Sequence, residues 1–144
     1  MKKDTLMTLL NLINAFKESA YKEANVNQVI LYDLLELNAH PDIDYSCVVI
    51  IPDNSLVNED LITRQFTIYY IDRLTDTANQ EYIHSVGEQV LESLITRVAD
   101  ELDIQLVTYS INFFKHKFID DCAGCYAQVS IATPKETNCE IDYE

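Results

Sequence analysis

Apolar residues in "DTLMTLLNLINAFKESAYK" fall at Leu6, Leu9, Leu10, Ile13, Phe16 and Ala20, close to the helical period of 3.6. The spacing predicts a helix over 4–23, with Asp4 as N-cap and Glu18 and Lys22 as an i,i+4 pair on the outer side. The period then shortens. "QVILYDLL" (28–35) is short and rich in β-branched and aromatic residues, which predicts a strand. "YSCVVII" (45–51) is a continuous apolar run stopped by Pro52, the pattern of a strand covered on both faces. "PDNSLVNEDLIT" (52–63) reads as a polar connection, and "RQFTIYYIDRL" (64–74) as a third strand with apolar residues on both faces.

The second helix has the clearest pattern. From Asn79 to Leu102, the residues Ile83, Val86, Val90, Leu91, Leu94, Val98 and Leu102 share one stripe. Gly87 lies beside that stripe, where a missing side chain lets the helix approach a sheet at a propensity cost of about 1 kcal/mol. Asp100, Glu101 and Asp103 crowd the negative end of the helix dipole, an unfavourable placement that calls for a basic group nearby. "IQLVTYSINFFKHKF" (104–118) and "CYAQVSIAT" (125–133) predict two strands of an antiparallel hairpin turning at "IDDCAG".

The order α-β-β-β-α-β-β predicts one α+β domain over 1–133. Its sheet is single, mixed and mostly antiparallel, with about five strands and both helices on one face. Residues 134–144 read as a mobile acidic tail. With 144 residues and a hydrophobic content of 48%, the chain has the material for a real core. Only two glycines are present, so a glycine-rich phosphate loop is excluded.

Charge narrows the partners. Against 24 acidic residues stand 10 basic ones, a formal net charge of −14. Phosphate affinity comes from Lys and Arg, so free duplex binding and docking on an anionic membrane are disfavoured. No run approaches the roughly 18 apolar residues of a membrane span. The basic start is followed by no small-residue cleavage site, and the four cysteines are expected to stay thiols.

Candidate chemistry is sparse. The Cys-x-x-Cys of "DDCAGCYAQVSI" places Cys125 at the start of a strand, in phase with Ala127, Val129 and Ile131, and puts Cys122 and Gly124 in the turn before it. A reactive pair of this kind draws its low thiol pKa from a helix N-terminus, whereas Asp120 and Asp121 push the other way. Zinc needs four converging ligands, yet Cys47 sits in an apolar strand, Cys139 in the tail, and His116 cannot complete a set alone. His40, in a loop before Pro41, and His84, beside the stripe of the second helix, form no triad with Ser85 or Ser110. The acidic pairs Asp42/Asp44 and Glu59/Asp60 fit no EF-hand loop and read as solvated faces. The nine tyrosines, "IYYI" (68–71) included, read as core and interface aromatics. No catalytic, cofactor-binding or metal-ligating residue emerges, so no cofactor is expected.

Four stretches in order carry a resemblance: "VNQVILYDLLELN" (26–38), "YSCVVIIPDN" (45–54), "RQFTIYYIDRLTDTANQEYIHSVGEQVLESLITRV" (64–98) and "FIDDCAGCYAQVSI" (118–131). Together they resemble the small connector, neck and tail-terminator proteins of tailed bacteriophages, including ring proteins of crAss-like gut phages. The resemblance implies a virion protein assembled in the host cytoplasm. It implies a sixfold or twelvefold ring of its own copies, stacked against portal, connector or tail proteins, with DNA passing through the lumen. It brings no catalytic residues. A strongly acidic ring would let DNA slide, but like-charged subunits must meet through apolar or polar contacts. Leu56, Val57, Leu61 and Ile62, apolar in a connection that should be polar, are the candidate subunit interface; burial of that loop against its own domain is the competing reading. Two rival functions remain. One is a cytosolic acidic binding module, such as an inhibitor that mimics nucleic acid. The other is a thiol or metal enzyme using Cys122 and Cys125.

Overall fold

The computed structural model describes residues 8–31, 43–75, 79–117 and 121–135. Within them the chain runs α1 (Leu9–Tyr21), β1 (Gln28–Leu31), β2 (Cys47–Val57), β3 (Leu61–Arg73), α2 (Gln80–Leu102), β4 (Gln105–Lys117) and β5 (Cys122–Pro134). The strands form one sheet in the order β1-β2-β3-β5-β4, with β1 and β2 parallel and every other neighbour antiparallel. This is the expected α+β architecture with the expected element order.

Strand alternation divides the apolar residues between two faces. One face presents Val48, Ile50, Phe66, Ile68, Tyr70, Cys125, Ala127, Val129 and Ile131, and packs against Leu12, Ile13 and Phe16 of α1 and Ile83, Leu91, Leu94 and Ile95 of α2. Both helices belong to this single core, where the Phe16 and Phe66 rings lie 5.2 Å apart. The opposite face holds a smaller cluster of Ile30, Cys47, Val49, Ile71, Phe114 and Cys122, flanked by Tyr45, Tyr69 and Tyr126. Cys47, Val48, Val49 and Ile50 are therefore all buried in succession, which explains the unbroken apolar run there.

The two helices are locked together by a polar cluster at the end of α1. Arg97 donates to the Ser19 carbonyl (2.9 Å), to Ser19 Oγ (3.0 Å) and to Glu23 Oε2 (2.7 Å), and the Ser19 hydroxyl donates to the Leu94 carbonyl (2.9 Å). The cation thus adds a second donor to a carbonyl of the last turn, which also accepts from the Lys22 N–H at 3.1 Å. The acidic end of α2 finds its basic group in the same place: Lys22 Nζ lies 3.1 Å from Glu101 Oε2. Lys22 is thereby engaged across the helices, where the sequence suggested Glu18.

α2 begins as expected at Asn79, whose side chain accepts from the Tyr82 N–H, and ends at Asp103 in the left-handed conformation with φ of 54°. Gly87 has the role its position suggested. A Cβ there would lie 2.7 Å from Cys125 Sγ and 2.8 Å from Tyr70 Cδ2, so its absence sets the helix-to-sheet distance.

Other boundaries differ from expectation. The cap of α1 is Thr8, with its Oγ1 accepting from Asn11 N–H, and the helix starts at Leu9; Asp4 and Leu6 lie outside the described residues. Leu9 and Leu10 were expected on the buried stripe, but they are exposed, and the buried set is Leu12, Ile13, Phe16, Ser19 and Ala20. Pro52 does not stop β2. The pairing with β3 slips between Pro52 and Asn54, and this bulge carries a residue without an N–H through an otherwise continuous ladder. The supposed connection 52–63 is consequently the outer half of a long β2–β3 hairpin. Cys122 and Gly124 are strand residues of β5, opposite Arg73 and Ile71, and are no part of a turn. Pro134, expected to open the tail, is the last residue of β5, paired with Leu61, and Lys135 follows it; the expected outer half of the first strand, His40, Asp42 and 136–144 lie outside the described residues.

Candidate subunit interface

The far end of the β2–β3 hairpin is held by a short asparagine turn. Asn58 Oδ1 accepts from the N–H groups of Asp60 (2.8 Å) and Leu61 (2.7 Å), while Asn58 N–H donates to the Leu61 carbonyl (3.0 Å). The N–H of Lys135, just past β5, donates to the Asp60 carbonyl (2.8 Å) and ties this turn to β5. Glu59 and Asp60 thus belong to a turn held by the backbone and the Asn58 side chain.

On this frame sit the four candidate residues. Leu56, Val57 and Leu61 are 54%, 61% and 39% exposed, and Ile62 is half-buried. They are not in a loop. Paired strands hold them, with Leu56 opposite Thr63 and Val57 opposite Ile62. Burial of Leu56 and Val57 against the described domain does not occur. Behind them, Arg64 is buried and donates to Thr133 Oγ1 at 3.2 Å, and burial lowers its pKa. Thr67 and Asp53 bond at 2.6 Å on the same hairpin. The hairpin end is a firm apolar projection, not a floppy loop.

Two further aromatics are exposed on separate elements: Tyr82, in the first turn of α2, is 56% exposed, and Phe113 of β4 is 48% exposed. The His84 ring lies 5.0 Å from that of Phe113, and its Nε2 donates to the Phe114 carbonyl at 2.8 Å. The legible signal was "FF": adjacent strand residues face opposite ways, so two neighbouring phenylalanines demand cover on both faces. Phe114 finds its cover beside Tyr69, at 6.2 Å between rings; Phe113 does not. Along this border β4 pairs with β5 alone, leaving one side of a 13-residue strand unpaired among the described residues.

The Cys-x-x-Cys motif separates across the sheet. Cys125 points into the helix-covered core and Cys122 into the opposite cluster, as a spacing of three in a strand requires. Their sulfurs do not converge on one ligand or on each other. Burial, with a smaller contribution from Glu88, pushes the Cys125 thiol up to about 12. Burial, then Cys122 and Asp72, does the same for Cys47. Among the described residues no three of His, Cys, Asp and Glu gather as a metal-binding group. The "IYYI" tyrosines split likewise: Tyr70 is buried under α2, with its phenol pushed up to about 12 by burial, while Tyr69 stacks near Tyr126 at 5.2 Å on the other face.

A depression of about 510 Å³ is an open hollow on the outward side of α2, bordered by Glu92, Ser93, Arg97 and Glu101. Arg97 and Ser93 are already engaged with Glu23 there. No helix among the described residues is long and apolar enough to cross a membrane. Compared with known proteins, the chain matches no family model and no curated sequence.

Proposed function

We propose that this chain is a structural, non-enzymatic subunit that assembles with its own copies into a ring at the head-to-tail connector, neck or tail end of a tailed bacteriophage, with DNA passing through the lumen. The observation that carries the assembly reading is the hairpin end, where Leu56, Val57 and Leu61 stand exposed on paired strands. Apolar side chains held rigidly in water lose little further entropy on docking and gain roughly 25 cal/mol for each Å² of apolar surface covered. The phage setting comes from the resemblance of the stretches between 26 and 131, and the net charge of −14 suits a channel through which DNA must slide. Neighbouring portal, connector or tail proteins are the other partners, and the virion is the place of action.

Light scattering and electron microscopy of the purified chain, alone and mixed with its neighbouring ring, test this. Closed high-order particles are expected. A lone monomer that turns over a small molecule, or that holds stoichiometric zinc, overturns the reading. The charge also favours a second one, an acidic module that mimics nucleic acid. That protein would stay small and compete with DNA for a basic partner, whereas a ring subunit would not.

A further inference from the structure

We infer that Arg64, buried beside the hairpin end, receives a carboxylate from a second copy of this chain when subunits meet. The inference rests on the ring reading above and names the charged group at the contact. Three observations point to it.

The first is an uncompensated charge. Arg64 is 8% exposed, and among the described residues its side chain donates one hydrogen bond, from Nη1 to the neutral Thr133 hydroxyl at 3.2 Å. A guanidinium has five N–H donors and stays a cation in proteins. No ion pair joins this one to a carboxylate among the described residues. The other two arginines show what such a group ordinarily finds. Arg97 lies 2.7 Å from Glu23 Oε2, and Arg73 sits 5.1 Å over the Tyr45 ring, beside Asp72. Burying a cation without a counter-charge is costly, and burial holds the Arg64 pKa below its ordinary value. A carboxylate accepting two parallel N–H bonds would offset that cost.

The second is place. Arg64 shares the helix-covered face of β3 with Phe66 and stands opposite Ser55 of β2. Ile62, two residues before it on the same face, pairs with Val57. Ser55 and Val57 are exposed and Ile62 is half-buried, so Arg64 closes a strip that opens to water. A molecule covering Val57 and Ile62 comes within one side-chain repeat of the guanidinium, ~7 Å along the strand. Arginines ringed by apolar cover that excludes water are frequent anchors of protein contacts.

The third is charge, and it selects a second copy. The partner that Arg64 lacks is an anion. Each copy carries 24 acidic side chains against 10 basic ones, so a neighbouring copy presents carboxylates over most of its surface. Nucleic-acid phosphate is the competing anion, but a net charge of −14 keeps a polyanion away. A single carboxylate carried in on an apolar contact meets no such barrier once the hairpin end has docked. The pair then fixes the register of subunits whose remaining charges repel.

Two substitutions in the full chain test this. Arg64→Met keeps much of the side-chain length and removes the charge. It should weaken self-association about tenfold or more in light scattering, while the urea midpoint of the dilute chain stays level or rises. Arg64→Lys keeps the charge and supplies an amine that a carbodiimide couples to a touching carboxylate. In a mixture of isotopically light and heavy chains, the peptide linked at position 64 should join one isotope to the other. Association of the Arg64→Met chain equal to that of the unaltered one overturns the inference and leaves the ring reading standing. So does a urea midpoint lowered by Arg64→Met, or a link confined to one chain, since either places the counter-charge within the same domain. An unaltered chain that never associates removes both readings; a rise in its urea midpoint with inorganic phosphate, abolished by Arg64→Met, would then make a free anion the occupant.

Discussion

Gly124 lies directly against the backbone of the neighbouring strand. A Cβ there would lie 1.9 Å from the Tyr70 carbonyl oxygen, with the Phe114 ring 3.0 Å away. Backbone cannot yield as a side chain can, so Gly124→Ala should cost well beyond the roughly 1 kcal/mol typical of single substitutions, read as a fall in the urea midpoint. Gly87→Ala is a gentler case. It gains up to about 1 kcal/mol of helix propensity but overpacks against Cys125 and Tyr70, which costs about 1–3 kcal/mol. Net destabilisation is expected, and Cys125→Ala in the same chain should relieve part of it, a non-additivity that a double-mutant cycle measures. The buried thiols give a pH dependence of definite sign. Cys47 and Cys125 keep their protons in the folded state up to about pH 12, whereas unfolded thiols release theirs near 9. The folded state then binds more protons, so stability is fully present below pH 9 and falls as pH rises from 9 towards 12, with Tyr70 adding to the upper part. Denaturant titrations across that range, with alkylation at pH 8.5 that is slow until urea is added, check both statements.

At the scale of elements, the hairpin end and the helix cap separate stability from assembly. Asn79→Ala removes the acceptor for the Tyr82 N–H and should lower stability by about 1 kcal/mol, with little effect on association. Leu56→Ser and Val57→Ser alter side chains that are more than half exposed, so they should shift the urea midpoint by no more than about 0.5 kcal/mol in free-energy terms. Their effect should appear in particle mass, as loss of the largest species. The two helices and the final hairpin were legible because their periodicity is local and long. The length of β2 was not, because proline normally ends a strand. Only pairing with Phe66 and the slip at Asn54 carry the ladder past Pro52. The same extension turned a polar connection with odd leucines into an apolar projection.

For the whole molecule, charge and apolar surface pull in opposite directions. Copies that each carry −14 repel one another, and the apolar hairpin end must overcome this. Salt shortens the screening length to about 8 Å at physiological ionic strength, so contacts through Leu56, Val57 and Leu61 should strengthen between low and physiological salt. Particle mass against ionic strength, measured for the unaltered chain and for Leu56→Ser with Val57→Ser, checks this: the rise with salt should be lost once the hairpin end is disabled. If salt has no influence on the unaltered chain, the hairpin end does not mediate assembly.

Periodicity and charge, both local or additive, already determined the element order, the α+β class, the Gly87 contact and the acidity that bears on partners. Each follows from residues within a few turns or from a simple sum. Which leucines face water was decided only by the packing. Leu12 displaces Leu9 and Leu10 from the sheet, Arg97 and Lys22 are drawn to α1 and α2 together, and Cys122 and Cys125 part because β5 begins earlier than its turn-like composition suggests. The Arg97–Ser19 and Lys22–Glu101 contacts join residues 78 and 79 positions apart, and no short window of sequence contains both members of such a pair.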